Sequence, residues 1–167
     1  MMTNNKTKVI AEPGKQELFV TREFDIPRER VFKAFTDPEI LARFFAPFGN
    51  TMHFNHHNYQ TGGSYSWCNK NADGKVLCTF NGVIHELTAP VRLIQTAELM
   101  ELPERGHAVM EAILFDELEN GRTKLTIHDV CFSVADRDAM VNSGMEYGLA
   151  AIFDQLDELL NVRNENE

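Results

Sequence analysis

The clearest periodic signal lies near the C-terminal end, in NSGMEYGLAAIFDQLDELL from Asn142 to Leu160. Apolar residues recur at Val141, Met145, Leu149, Ile152, Leu156 and Leu159, in steps of three and four that share one helical face. Glu146, Asp154, Asp157 and Glu158 fall mostly on the opposite side. The pattern predicts one long helix from about Ala139 to Leu160, with Met145, Leu149, Ile152 and Leu156 buried against a sheet. Gly144 and Gly148 fall inside it, each costing about 1 kcal/mol relative to alanine in a helix interior. With Ala151 they form a row of small residues, which either lets another backbone approach or leaves volume unfilled beside the helix.

Upstream the period changes. ELFVTREFDI, Glu17 to Ile26, is rich in aromatic and β-branched residues and predicts a first strand. Pro27 suits a helix start, and RERVFKAF places Val31, Phe32 and Phe35 on one stripe. In TDPE, Asp37 is a good N-cap and Pro38 a good first residue for a second short helix burying Ile40, Leu41 and Phe44. From Asn50 to Phe132 strands alternate with turns: TMHFNHHNY, SYSWCN, KVLCTFNGVIHEL, VRLIQTAEL, AVMEAILFDEL and TKLTIHDVCF. A hairpin-linked meander makes an antiparallel sheet, and the final helix is the one element long enough to cover its inner face. The expected fold class is α+β, with a curved sheet gripping a long C-terminal helix.

Composition narrows the function classes. The 167 residues are 43% hydrophobic and 25% charged, which fits one soluble domain with a substantial core. A formal net charge of -9 argues against sequence-independent nucleic-acid binding, which needs a basic footprint. No apolar run approaches the roughly 18 residues of a membrane span. The N-terminus lacks a signal-peptide core, and Cys68, Cys78 and Cys131 have no C-x-x-C spacing, so a reduced, cytoplasmic setting is expected. Residues 1–15 and 162–167 are polar and are expected to be flexible tails flanking a single domain, 16–161.

In order and spacing, several motifs resemble the helix-grip (SRPBCC or START-like) superfamily, and within it the branch homologous to activators of the heat-shock chaperone ATPase. They are IPRERVFKAFTDPEIL, the Gly62-Gly63 hairpin, FNGVIHEL at Phe80 to Leu87, RLIQT at Arg92 to Thr96, TKLTIHDVCF and the glycine-bearing final helix. The chain departs from the family pattern at Phe44 and Phe45, where a tryptophan is usual, and at Ala97, where an aromatic is common. It departs again at His128-Asp129-Val130-Cys131-Phe132, where the family often reads threonine-histidine-x-glycine-phenylalanine. Asp129 alternates with Leu125 and Ile127, and a carboxylate on that side is costly to bury unless paired, so it either ends the strand in solvent or, if buried, is a polar anchor in a pocket.

The resemblance implies a hydrophobic cavity between sheet and helix. The residues expected to line it are Phe44, Phe48, Trp67, Phe80, Ile84, Leu125, Ile127, Asp129, Met145, Gly148, Leu149 and Ile152. His53 and His57 fall on one strand face and His56 on the other, too few to converge as a zinc site. There is no G-x-S-x-G, helix-borne H-E-x-x-H or phosphate-cradling glycine loop, so no catalytic residue, metal or cofactor is assigned. Three functions follow in order: binding a small apolar molecule, acid–base catalysis of the polyketide cyclase or dehydratase kind, and chaperone contact. The last ranks lowest because eukaryotic activators carry an additional N-terminal domain where this chain has a short tail. The partner expected is a small apolar molecule, with at most a weak homodimer, no nucleic acid and no membrane.

Overall fold

The computed structural model describes residues 5–162. Eight strands form one antiparallel sheet: β1 (Lys8–Ile10), β2 (Glu17–Phe24), β3 (Thr51–His57), β4 (Ser64–Lys70), β5 (Val76–Thr88), β6 (Arg92–Leu99), β7 (Val109–Leu118) and β8 (Arg122–Val130). Their order across the sheet is β1-β2-β8-β7-β6-β5-β4-β3. The four helices are α1 (Arg28–Thr36), α2 (Pro38–Phe44), α3 (Val134–Asn142) and α4 (Met145–Val162). Because β2 and β3 lie toward opposite edges, α1 and α2 bridge the sheet from one side to the other. Register shifts that insert extra residues in β3 and β5 bend those strands and add to the sheet's curvature. The fold is an α+β helix grip, as the period-2 and 3.6 patterns predict.

Alternation decides which side chains enter the core. Leu18, Val20, Arg22 and Phe24 of β2 point inward, as do Thr123, Leu125, Ile127 and Asp129 of β8. Asp37 caps α2 as expected, accepting from the backbone N–H groups of Glu39 (3.0 Å) and Ile40 (3.4 Å). The phenylalanines at the helix end of the core meet edge to face. Phe35 lies 5.5 Å from Phe115 and 5.7 Å from Phe44, while Phe24 lies 6.0 Å from Phe153.

Two expectations need correction. The single C-terminal helix is two, because Gly144 adopts φ +85° and ends α3, with the chain restarting at Met145. That left-handed conformation is inexpensive for glycine, so Gly144 is a helix stop and does not sit in a helix interior. The second correction concerns residues 1–15, expected as a flexible tail. Lys8–Ile10 pairs with β2 as an edge strand, and Arg137 Nη1 holds the Glu12 carbonyl at 2.9 Å. A three-residue strand is too short for alternation to reveal it. Residues 1–4, and 163–167 of the expected C-terminal tail, lie outside the described residues.

The docking of α4 is uneven along its length. Ile152, Phe153, Leu156 and Leu160 are buried, whereas Met145 and Leu149 are only half-buried. Polar contacts concentrate at the same C-terminal end. Arg22, 5% exposed, donates to Asp154 at 2.9 Å and to Asp157. Arg30 Nη2 donates to the Leu160 carbonyl at 2.7 Å. The Gln155 amide, oriented to satisfy its surroundings, donates to the carbonyls of Phe44 (2.9 Å) and Ala46 (3.1 Å). Burial outweighs the Arg22 guanidinium at Asp157 and holds its carboxyl above the usual range. The ion pair therefore fixes where α4 sits more than it adds net stability.

Arg22→Met alone is expected to cost about 2–3 kcal/mol, less than a fully buried pair because Asp157 keeps some solvent contact. Adding Asp157→Leu is expected to restore most of that loss in denaturant melts. A double variant as unstable as the single one would show that the guanidinium acts on its own. The graded burial of α4 gives a second test. Leu156→Asp is expected to prevent folding, since an unpaired buried charge consumes much of a typical stability of about 5–15 kcal/mol. Leu149→Asp is expected to leave a cooperative thermal transition, and its absence would place Leu149 in the solid core.

Candidate functional site

Where the N-terminal half of α4 stands off the sheet, the fold leaves a partly open cavity of about 740 Å³. That is within the range of roughly 300–1,000 Å³ usual for small-molecule sites. Its walls come from α1, α2, α3, α4, the inner face of β3 to β8 and the segment joining β6 to β7. Gly148 is on this wall, and no atom beyond its chain neighbours and its own helix backbone lies within 4 Å of the place its Cβ would occupy. Tight helix-to-sheet packing is therefore not the reason for glycine here. A side chain at this position would project into the cavity.

Of the residues expected to line the cavity, Trp67, Phe80, Ile127, Asp129, Met145, Gly148, Leu149 and Ile152 do so. Four others are placed elsewhere. Phe44, Ile84 and Leu125 point inward but lie in the solid part of the core, at 1%, 0% and 1% exposure. At those positions another element covers the sheet or helix, so no space remains. Phe48 has φ +59° in the loop after α2 and is 71% exposed, turned out to solvent. Phe35, Phe45, Tyr59 and Tyr65 contribute aromatic wall that the sequence reading did not assign.

A polar row crosses this apolar surface. In adjacent strands Gln95 pairs with Glu111, and Glu111 with Asp129, so antiparallel register sets three polar side chains side by side on the inner face. Gln95 Nε2 donates to Glu111 Oε1 at 2.7 Å, and the Glu111 and Asp129 carboxyls are hydrogen-bonded to each other. A proton held between two carboxyls in such contact relieves the repulsion of two buried charges. Burial pushes Asp129 up, and the Glu111 charge and hydrogen bond push it further. Burial also pushes Glu111 up, against the hydrogen bonds of Gln95 and Asp129 that favour its charged form. Glu111 is enclosed as seen from bulk solvent yet keeps surface facing the cavity.

Gln95 Oε1 has no hydrogen-bond partner, and Asp129 Oδ1 has none beyond the Glu111 carboxyl, although Asp129 is 1% and Gln95 8% exposed. The tyrosines nearby do not supply both. Tyr65 donates to the Thr96 carbonyl at 2.6 Å, its ring crossing Gly82, where a Cβ would come within 2.5 Å of the ring and 1.9 Å of that carbonyl. Burial, followed by the charge of Glu111, raises the Tyr59 and Tyr65 phenols, so both stay protonated. Sequence reasoning found Asp129 because it interrupts an apolar phase. The same signal was present at Gln95, between Leu93 and Ala97, and at Glu111, between Val109 and Ile113.

Toward the mouth, Phe132 and Leu102 are exposed, and His107 Nδ1 meets Asp136 Oδ1 at 3.1 Å, tying the β6–β7 segment to α3. The Asp136 carboxylate raises the His107 imidazole above its ordinary value, with a smaller contribution from Glu104. The three histidines of HFNHH diverge. The register shift after Phe54 carries His57 to the inner side, stacked on Tyr59 at 4.2 Å. His53 bonds Thr51 and His56 bonds Ser64 on the exposed side. The bulge overturns the expectation that His53 and His57 share a face. Among the described residues, no three His, Cys, Asp or Glu side chains gather as a metal-binding group.

A curved antiparallel sheet closed over by a C-terminal helix, with a cavity between them, defines a protein of the START-like helix-grip class. The chain belongs to the family described as Activator of Hsp90 ATPase homolog 1-like protein, whose pattern matches residues 25–161. Solved structures agree on the fold. A protein from Rhodobacter sphaeroides is similar over 93% of this chain and 99% of its own, at 21% identity and a TM-score of 0.82. Protein Ms6760 from Mycobacterium smegmatis is similar over 94% and 98%, at 20% identity and a TM-score of 0.80. Protein CV1439 from Chromobacterium violaceum is similar over 86% and 96%, at 26% identity and a TM-score of 0.74. No curated protein matches the chain. Among the described residues, no helix is long and apolar enough to cross a membrane.

The shared proton sets a pH dependence. In the unfolded chain these carboxyls titrate near 4, and in the folded protein burial raises both. Between those limits the native state binds more protons than the unfolded one, so stability falls as pH rises through that window. Asp129→Asn is expected to raise the melting temperature at neutral pH and to reduce its decline above about pH 4. Thermal melts of both proteins from acid to neutral pH check this. A variant that melts lower than wild type at neutral pH would mean that the ionised aspartate stabilises the fold.

Proposed function

We propose that the protein binds a small, largely apolar molecule between its sheet and the N-terminal half of α4. The observation that carries this reading is the cavity of about 740 Å³ bordered by Gly148, on a helix whose other half is firmly packed. Its aromatic and aliphatic walls suit an apolar body, and the row of Gln95, Glu111 and Asp129 offers one place for a polar group to be oriented. Burying an apolar molecule of moderate size there gains roughly 25 cal/mol per Å² of surface removed from water.

A second reading, acid–base catalysis, is favoured by one observation. The hydrogen-bonded pair of Glu111 and Asp129 holds a proton in an enclosed site, and their raised titration brings them nearer neutral pH. It differs from binding in its outcome, since a bound molecule recovered chemically unchanged fits a binding module alone.

Gly148→Leu is the direct test of the cavity. The leucine gains roughly 0.8 kcal/mol of helix propensity and, beyond its chain neighbours and its own helix backbone, meets no atom within 4 Å at its Cβ. The variant is expected to melt at or above the wild-type temperature while losing binding of an environment-sensitive apolar dye. Retained dye binding with unchanged stability would mean that the dye, and the proposed ligand, sit elsewhere.

A further inference from the structure

The chemistry of the cavity wall narrows the class of molecule it takes, an inference that rests on the binding reading above. Four carboxyl side chains line the cavity, Glu104, Glu111, Asp129 and Asp136. Among the described residues, neither a lysine nor an arginine lines it, and His107 is already engaged with Asp136. Buried acceptors on the inner wall are also left without protein donors. Gln95 Oε1 accepts from nothing and no group other than the Glu111 carboxyl reaches Asp129 Oδ1, both on side chains more than nine-tenths buried, while one Gln95 amide N–H is given to Glu111.

Unpartnered buried acceptors are expensive, and a ligand that supplies donors relieves that cost directly. A carboxylate or phosphate would add acceptors where acceptors are already in excess, and would place a second negative charge beside Glu111 and Asp129. An ammonium group has three donors and no acceptor. It would bond Asp129 and its neighbours, and its charge would draw the pair toward the ionised form as the shared proton leaves to solvent. The surrounding aromatic walls attract the same cation through their ring faces. The net charge of -9 steers in the same direction.

We propose that the cavity selects apolar amines, with the ammonium group held at Asp129 and Gln95 and the apolar body against the aromatic walls. A matched series tests it: 4-phenylbutylamine, 4-phenylbutanol and 4-phenylbutanoate, each displacing an apolar dye from wild-type protein at neutral pH. The amine is expected to displace the dye at roughly tenfold lower concentration than the alcohol, the difference between a charge-assisted and a neutral hydrogen bond. The carboxylate is expected to be weakest. Asp129→Asn, with Glu111→Gln as the second variant should the first fold poorly, is expected to remove the preference for the amine, the amine losing more affinity than the alcohol. Glu104→Gln at the mouth is expected to retain it. Equal or better displacement by the carboxylate or the alcohol overturns the amine assignment while the binding reading stands. A preference that disappears in Glu104→Gln but persists in Asp129→Asn overturns the placement at the deep end. Failure of wild-type protein to take up the dye overturns the binding reading, and this inference with it.

Discussion

The structure depends on the clamp that holds α4 at one end. Phe153, Leu156 and Leu160 fill the space above β2 and the phenylalanines of α1 and α2, and Arg22, Arg30 and Gln155 fix the helix there through directed bonds. A buried guanidinium has few acceptable positions, so the helix cannot slide to close the gap at its other end. Met145 and Leu149 are consequently held above the sheet, and the cavity persists as a consequence of packing elsewhere. Gly144 completes the arrangement by turning the chain, so that α3 lies at the mouth instead of extending α4.

The cavity has an unusual polarity for an apolar site. Its polar groups are concentrated in one row, set by strand register, in which each carboxyl or amide finds its partner one strand away. Such a row is tolerable because a shared proton removes part of the charge, and costly because Gln95 Oε1 remains unpartnered and Asp129 Oδ1 has no partner beyond the Glu111 carboxyl. The cost lies on the link between packing and function. A core optimised for stability alone would carry apolar residues at Gln95, Glu111 and Asp129.

Most of the element order was legible in the chain because its signals are local. Period-2 alternation, glycine and proline turns, and the Asp37-Pro38 start are set by neighbours a few residues apart, and β2 to β8, α1 and α2 appeared at their expected places. The inward direction of Asp129 was equally local, since strand geometry alone sends alternate side chains to opposite faces. The short strand Lys8–Ile10 was not legible, because three residues carry no alternation to read and its pairing depends on β2.

What the sequence could not decide was everything that depends on where α4 stands. Phe44, Ile84 and Leu125 share the inward phase of cavity residues such as Phe80 and Ile127, and only the covering element separates solid core from cavity wall. Gly144 and Gly148, one turn apart and chemically identical, serve opposite ends: one stops a helix through a positive φ, the other borders open space within one. The bulge after Phe54 turned His57 inward by inserting one residue, a change that alternation cannot register. The meeting of Gln95, Glu111 and Asp129 required the register of three strands at once. The sequence by itself determined the elements and the face each side chain takes, because those follow from backbone geometry over a few residues. The tertiary structure alone decided which of those faces meet, because register and helix docking are settled by contacts between residues far apart in the chain.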